Sequence, residues 1–367
     1  MRPTLQMPVM TAVEELFSRA EAVTPMRQYH ALFTLFALAK GAVVSGDKAL
    51  LERCKAHLDK YPDEINHPGY SFELYRIGGV AKAYLFYKGE YDGISDMIRE
   101  YAEETYNALR STDGVICYKK PGPWKWIWVD AITAVAPFML FAGLGLSEER
   151  YVDFAAEQTI LMYDALVDKD CGLVHQVRGR YDDDEFRCSE DHWSRGNGWM
   201  MVAFAELIEH LPKESRYYSE VVSRYKAFCD SIVKYQSMRG LWRQEMTVEG
   251  SWEESSGTGL LAYGIGVGVR MGILEDEKYK VSFKNALSGL ANHCISENYN
   301  TYNSCESNSF PGDGEDQGTI HAYICLPKSF RNEPHSFGTI MIALVEAYSN
   351  GMTEIEKYKQ LYHTLDE

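Results

Sequence analysis

Several features that define other protein classes are missing from this 367-residue chain. No apolar run is as long as a membrane span, and the N-terminal stretch MRPTLQMPVM lacks the continuous apolar segment of a secretory signal. The eight cysteines are scattered, without CxxC pairs or metal-ligand spacing. The chain also lacks an excess of positive charge: its net charge of −16 argues against binding to nucleic acid or to anionic membranes. We therefore expect a cytoplasmic protein with reduced thiols, no metal and no other cofactor.

Strand-like alternation is scarce as well, and helical periodicity dominates. Apolar stretches, which predict inner helices, alternate with amphipathic stretches, which predict outer ones. The inner helices are expected at residues 29–40, 70–87, 128–141, 195–209, 257–271 and 335–348. The outer helices are expected at 48–60, 94–110, 148–167, 215–235 and 277–294, with either 9–20 or 352–365 as the sixth. This repetition predicts an all-α (α/α)6 barrel of six helical hairpins, as one catalytic domain over residues 1–367.

In such a ring the inner helices run parallel, so their N-terminal ends meet on one side. The loops that lead into them are rich in aromatic residues. These loops and the helix starts that follow them hold His175 and every tryptophan of the chain, which are Trp124, Trp126, Trp128, Trp193, Trp199, Trp242 and Trp252. Clustered indoles predict platforms on which sugar rings stack. The alternative is that half of these tryptophans only fill the barrel.

Two carboxylates at the starts of inner helices are candidates for acid–base chemistry. Asp130 ends the loop KWIWVD, and it is either an N-terminal cap or a general acid. Surrounding tryptophans would raise its pKa, whereas the helix N-terminus would lower it. Glu73, in YSFELYRIGG, begins the preceding inner helix and could be the second carboxylate that sugar hydrolysis commonly uses. Its alternative role is a salt bridge with Arg76.

The stretch CSEDHWSRGNGW places further polar residues at the start of an inner helix. Arg195 and Trp199 are four residues apart and share one helix face, which predicts a receptor for a ring that carries a carboxylate. The two side chains could instead simply pack together. His175, His192 and His335 lie in loops at the same end and could bind substrate hydroxyls or be ordinary loop residues. A metal site made of these histidines has no supporting ligand spacing.

Three motifs resemble the unsaturated glucuronyl and rhamnogalacturonyl hydrolases, glycoside hydrolase families 88 and 105. They are RGNGW with the preceding HWS, WVDxxxxxxPF around Asp130, and ESSGTGLLAYGI at 254–265; the resemblance runs from about residue 29 to 348. It implies an (α/α)6 barrel that releases a 4,5-unsaturated uronic acid from the non-reducing end of oligosaccharides made by lyases. The enzyme hydrates the C4=C5 vinyl ether rather than attacking the anomeric carbon.

The resemblance also implies roles for single residues. Asp130 would donate a proton to C4 and assist the addition of water at C5, while Arg195 and Trp199 would hold the carboxylate and the ring. His175 would bind substrate, and we extend this expectation to Trp128, His192, Trp193 and His335. The family usually carries a second aspartate where the nearest residue here is Glu73.

Two other functions remain open from the sequence. An inverting (α/α)6 hydrolase could act on a saturated uronide with Asp130 and Glu73 across the anomeric carbon. A toroid that binds sugars without catalysis would need the same pocket but no acid. In each case the expected partner is an oligosaccharide, and the sequence does not determine the oligomeric state.

Overall fold

The computed structural model describes residues 3–61, 78–117, 125–181, 184–306 and 310–359. Its inner helices are α2 (Tyr29–Ser45), α4 (Gly79–Tyr87), α6 (Asp130–Leu146), α8 (Ser194–His210), α10 (Ser255–Arg270) and α13 (Pro334–Ser349). Its outer helices are α1 (Val9–Val23), α3 (Lys48–Leu58), α5 (Ser95–Tyr106), α7 (Glu149–Leu166), α9 (Tyr218–Ile232) and α11 (Glu277–His293). A short helix, α12 (Ile320–Ile324), lies in the connection that leads to α13.

The six inner helices form a closed ring. Helix α2 packs on α4, α4 on α6, α6 on α8, α8 on α10, α10 on α13, and α13 returns to α2. On the outside, α3 packs on α2, α7 on α6, α9 on α8 and α11 on α10, while α1 packs against α13 and α2. The predicted (α/α)6 barrel is thereby confirmed.

The distribution of buried side chains around each helix explains which helices lie inside the ring. Residues 194–208 of α8 and residues 131–143 of α6 are all buried, because these helices are surrounded by others on every side. The outer helix α5 buries only Ile98, Tyr101, Ala102 and Thr105, whose spacing of three and four residues forms a single stripe. The sequence pattern therefore reports how many faces of each helix are covered.

Glycines let the inner helices approach one another at the backbone. A Cβ on Gly259 of α10 would lie 2.2 Å from the carbonyl oxygen of Thr339 on α13. A Cβ on Gly338 of α13 would lie 2.8 Å from the backbone of Thr34 on α2. Since real Cβ atoms do not come this close to other atoms, any larger residue at these two positions would push the ring apart.

The two ends of the described chain settle which segment is the sixth outer helix. Helix α1 occupies that position, and the C-terminal alternative is wrong because residues 354–358 form a strand. This strand, β4 (Glu354–Tyr358), pairs antiparallel with β1 (Thr4–Pro8), from Thr4 opposite Tyr358 to Pro8 opposite Glu354. Its side chains alternate between exposed and buried, with Ile355 and Lys357 inward, which is the two-residue period of a strand.

Of the predicted inner helix at 70–87, only residues 78–87 lie within the described ranges. Gly78 has a φ of 96°, outside the helical region, and α4 begins at Gly79. Residues 70–77, including Glu73 and Arg76, lie outside the described residues, so both alternatives for Glu73 stay open. Within the described ranges no helix is both long and apolar enough to cross a membrane. All eight cysteines belong to these ranges, and all are free thiols.

Candidate active site

Short strands bring the loops at the N-terminal end of the ring together. Strand β2 (Ile127–Trp128), just before α6, pairs antiparallel with β3 (Val177–Arg178). The ladder continues in a hydrogen bond from the Val129 amide to the Gln176 carbonyl, at 2.9 Å. The tryptophan-rich loop that ends at Asp130 is therefore fixed beside the loop that carries His175 and Gln176.

Asp130 is the first residue of α6, not its cap, which is Val129. Its Oδ2 atom is buried and has no hydrogen-bond partner among the residues described. Burial raises the pKa of Asp130 to about 6, although the nearby charge of Arg195 and a hydrogen bond from the Gln176 side chain act in the opposite direction. The carboxyl can therefore hold a proton close to neutral pH, as a general acid requires.

Gln176 links Asp130 to the far side of the site. Its side-chain oxygen accepts a hydrogen bond from the hydroxyl of Tyr323, a buried residue of α12. Its side chain also hydrogen bonds to Asp130. Tyr323 and Asp130, which are far apart in the sequence, thus fix the orientation of the Gln176 side-chain amide.

Asp191 is a second buried carboxylate near Asp130, and sequence reasoning missed it. Its carboxylate accepts three hydrogen bonds, from Ser189 Oγ (2.5 Å), Trp193 N (3.0 Å) and Gln176 N (3.2 Å). Burial and the charge of Glu245 raise the pKa of Asp191, and Asp191 in turn raises the pKa of Asp130. The available signal was its position in SEDHW, directly before an apolar helix.

The charge of Arg195 acts on Asp130, but the Arg195 guanidinium is hydrogen bonded to other protein groups. The side chain is 1% exposed, and its donors reach three oxygens, those of Ser256 Oγ (3.1 Å), Cys305 O (2.6 Å) and Glu306 O (3.0 Å). The indole beside it is Trp193, with the ring centre 4.5 Å away, whereas Trp199 packs edge-on against Phe33. Direct contact between Arg195 and a substrate carboxylate stays a prediction.

The histidines form two pairs at this end of the barrel. The rings of His175 and His192 are 5.0 Å apart, and those of His335 and His30 are 5.2 Å apart. His175 is only partly buried, and its Nδ1 lies 3.1 Å from the backbone oxygen of Asp191. Burial lowers the pKa of His175, so the ring is neutral and presents its other nitrogen for a hydrogen bond.

His335 and His192 are more enclosed. His335 contacts the Glu333 carboxylate through Nδ1, at 2.7 Å, and the Tyr29 hydroxyl through Nε2. His192 has Nε2 2.9 Å from the Asp168 carboxylate. Since the polar atoms of both rings are directed at protein groups, substrate contacts for His335 and His192 stay predictions.

The tryptophans divide between the pocket and the core. Trp242 is fully buried and donates a hydrogen bond from Nε1 to the carbonyl of Ile232 at 2.8 Å, so its assignment to the pocket lining is wrong. Trp193 is also almost fully buried, which leaves its substrate contact a prediction. Trp128 is 8% exposed and lies next to the acid, and Trp124 lies outside the described residues.

Arg180 is a cation beside the tryptophans of the loop before Asp130, and sequence reasoning missed it. Its guanidinium lies 3.9 Å from the ring centre of Trp126, 5.0 Å from Phe310 and 5.7 Å from Trp128. No hydrogen bond or ion pair of this side chain is made within the described ranges. The stretch RGRYDDDEFR contains three arginines and a run of acids, so the sequence alone gave no reason to single out this one.

Known proteins resemble this chain in sequence. The family model for Glycosyl Hydrolase Family 88 matches residues 9–350. The unsaturated 3S-rhamnoglycuronyl hydrolase of Formosa agariphila is 26% identical over 174 residues, which are 45% of this chain and 46% of that protein. The enzyme of the same name from an Alteromonas species is 25% identical over 158 residues, 42% of this chain and 38% of that protein. The matched region thus spans about half the length of these curated relatives, or less.

Solved structures share the fold over nearly the whole chain. A C. acetobutylicum glycoside hydrolase from family 105 superposes with a TM-score of 0.80 at 23% identity, covering 94% of this chain and 100% of that one. The unsaturated glucuronyl hydrolase of Bacillus sp. GL1 superposes with a TM-score of 0.65 at 13% identity, covering 95% and 97%. With the family model matched over residues 9–350, the chain belongs to glycosyl hydrolase family 88.

Proposed function

We propose that this protein removes a 4,5-unsaturated uronic acid from the non-reducing end of short oligosaccharides by hydrating the C4=C5 bond. The observation that carries the proposal is the state of Asp130, a carboxyl at the N-terminal end of a buried helix. Its pKa is about 6, and its Oδ2 has no hydrogen-bond partner in the described part of the chain. Two relatives named unsaturated 3S-rhamnoglycuronyl hydrolases support the same reaction class. We include in the proposal that residues 1–367 act as one catalytic domain.

The proposed reaction uses one proton donor that then acts as a base. Asp130 gives its proton to C4, and the positive charge that develops at C5 is shared with the ring oxygen. Water adds to C5 and returns a proton to the Asp130 carboxylate, so the acid is regenerated. The product is a hemiketal, which opens and releases the rest of the oligosaccharide. A pKa near 6 suits both steps, because the proton can leave and return at a modest free-energy cost.

The substrate carboxylate needs a positive group in a protein of net charge −16. We assign this contact to Arg180, because its guanidinium has no polar partner in the described part of the chain and lies beside the tryptophans of the Asp130 loop. Arg195 would act through its charge alone, since its donors reach protein oxygens. Aromatic faces next to Arg180 would keep water away and so strengthen the ion pair.

The remaining roles complete the pocket. We propose that His175 binds a sugar hydroxyl and that Trp128 and Trp199 border the ring. Glu73 remains a prediction as the supporting carboxylate, and Asp191 is our additional candidate for holding His175 and Gln176 in place. Eight free cysteines favour a reducing compartment, and we propose a cytoplasmic location on that ground.

The test is the ultraviolet absorbance of the vinyl ether in unsaturated disaccharides of the glucuronyl and galacturonyl types. We expect absorbance to fall with the wild-type enzyme and to persist with Asp130→Asn, whose circular dichroism should match wild type. A nitrophenyl glucuronide assayed in parallel reports on a saturated uronide. Turnover of only the nitrophenyl compound, or calorimetric binding of the disaccharide without turnover, would refute the proposal in favour of one of the two alternatives.

A further inference from the structure

Three potential metal ligands of different kinds meet behind the proposed active site. The carboxylate of Asp168, the thiol of Cys171 and the imidazole of His192 each place one ligand atom so that all three lie within 4.8 Å of one another. Within this group, His192 Nε2 is 2.9 Å from Asp168 Oδ2. In a tetrahedral zinc site with metal–ligand distances of about 2.0–2.3 Å, neighbouring donor atoms lie roughly 3.3–3.6 Å apart. The three side chains could reach that arrangement by small rotations.

A rigid turn holds Asp168 and Cys171 on one side of the cluster. The amide of Gly172 donates to the Asp168 carbonyl at 2.7 Å, and the Asp168 amide donates to the Leu173 carbonyl at 2.8 Å. Gly172 has a φ of 75°, and a Cβ there would lie 2.2 Å from the Ser231 hydroxyl. Because the turn is fixed in this way, its two ligand atoms are arranged before any ion binds.

The imidazole is oriented as metal-binding histidines usually are. While Nε2 of His192 faces the cluster, Nδ1 lies 3.7 Å from Oε1 of Glu245. Glu245 is fully buried and is held by the backbone amide of His192 at 2.7 Å and by the Thr247 hydroxyl at 2.9 Å. A buried carboxylate behind the far nitrogen of a ligand histidine is the usual outer partner of a zinc site.

The charges around His192 also favour a cation. Asp168 and Glu245 face this single ring, and the charge of Glu245 also acts on the nearby Asp191. A divalent cation bound at this ring would neutralise part of this negative charge.

A second group of three potential metal ligands differs from this one. Glu206, Glu209 and His210 also bring ligand atoms within 4.8 Å of one another, at the C-terminal end of α8. There the ammonium of Lys40 already fills the centre, 2.8 Å from Glu206 and 3.2 Å from Glu209. The described residues place no such cation between Asp168, Cys171 and His192.

We propose that Asp168, Cys171 and His192 form a binding site for one Zn²⁺ ion. The thiolate, the imidazole nitrogen and one carboxylate oxygen are three ligands, and a water molecule would complete the tetrahedron. The ion would be held by the Cys171 thiolate and by the neutral imidazole of His192, so binding releases the thiol proton. It would fix the ring of His192 and, with it, the adjacent His175. This inference does not depend on the reaction proposed for Asp130.

Cobalt provides a direct test, because a thiolate bound to Co²⁺ gives a charge-transfer band in the near ultraviolet. The full-length protein is freed of metal with a chelator and titrated with Co²⁺ and then with Zn²⁺. We expect one equivalent of Co²⁺ to produce the band and Zn²⁺ to remove it. Calorimetry in buffers of different ionisation enthalpy should show that binding releases protons, as thiolate ligation requires.

Three variants decide which residues hold the ion. Cys171→Ser should lose the charge-transfer band, and Glu245→Gln should keep it with an affinity weaker by about 10- to 100-fold. Cys325→Ser is the matched control, because this exposed thiol also lies near a histidine, 3.7 Å from Nε2 of His321. The proposal is overturned if wild type gives no band, if Cys171→Ser retains it, or if Cys325→Ser loses it.

Discussion

Raising the pH above 6 should slow the reaction by removing the proton that Asp130 donates. With a pKa of about 6, the protonated fraction is about 0.9 at pH 5, about 0.1 at pH 7 and about 0.01 at pH 8. If protonation of C4 limits kcat/KM, its value should fall about fivefold from pH 6 to pH 7, about tenfold for each further pH unit, and about 90-fold from pH 5 to pH 8. Bound substrate brings a further negative charge, so the fall in kcat should begin at a higher pH.

Substitution of the neighbouring carboxylate, Asp191, tests whether this pH dependence belongs to Asp130. Asp191 raises the pKa of Asp130 by its charge, so Asp191→Asn removes that contribution and should shift the decline in kcat/KM to lower pH. Asp170→Asn is the matched control, because Asp170 is an exposed aspartate of the same loop region. It should leave the profile unchanged.

The assay measures initial rates from the vinyl-ether absorbance between about pH 5 and pH 8, with circular dichroism to confirm folding at each pH. A profile that is flat over this range would show that a proton on Asp130 is not needed. A shift to higher pH in Asp191→Asn would show that the electrostatic reasoning has the wrong sign. Either result refutes the role assigned to the buried acid.

Three further substitutions test the site and the fold. Arg180→Met should lower kcat/KM for an unsaturated uronide by about 10- to 100-fold, since hydrogen bonds to charged groups contribute roughly 1.5–3 kcal/mol; the methyl ester of the same substrate should lose far less. Lys40→Met should reduce the free energy of unfolding by about 3–5 kcal/mol in urea, because it leaves the buried Glu206 without its partner. Gly259→Ala should cost about 1–3 kcal/mol, because its Cβ would collide with the Thr339 carbonyl.

Matched controls separate these effects from general damage. Arg187→Met removes an exposed arginine that also stacks on an aromatic ring, 3.8 Å from Tyr181, and should change neither substrate's kcat/KM. Lys48→Met changes an exposed lysine, and Gly250→Ala adds a Cβ where no atom lies within 4 Å. Equal losses of ester and acid turnover in Arg180→Met would contradict an ion pair with the substrate carboxylate. If Lys48→Met destabilised the protein as much as Lys40→Met, the role of the buried ion pair would be contradicted. If Gly250→Ala destabilised it as much as Gly259→Ala, the role of the close backbone contact would be contradicted.

Much of the fold could be predicted because the apolar residues of each helix indicate which of its faces are buried. Apolar residues on all faces predicted α2, α6, α8, α10 and α13 as inner helices, and one-sided stripes predicted the outer ones. The errors lie where an element depends on a distant partner. Residues 354–358 form a strand because β1 is available to pair with them, and the local pattern alone did not separate that from an outer helix.

The location of the site could be predicted from the sequence, but several of its side-chain contacts could not. Asp130 is at a helix start because an acid that follows an aromatic loop and precedes an apolar run can hardly lie elsewhere. Arg195 is four residues from Trp199, yet its guanidinium is held by Cys305 and Glu306, more than a hundred residues away. Helical spacing fixes which face a side chain leaves from, and it does not fix which group the side chain meets.

By itself the sequence determined the ring of helices, the end at which the loops gather and the acid that begins α6, because these depend on periodicity and on local order along the chain. Only the tertiary structure decided that Arg195 bonds to the protein, that Arg180 lies beside the tryptophans, and that Asp191 accompanies Asp130. Those choices depend on which side chains become neighbours when distant segments pack, and burial then sets their charge states. The same packing brought Asp168, Cys171 and His192 together.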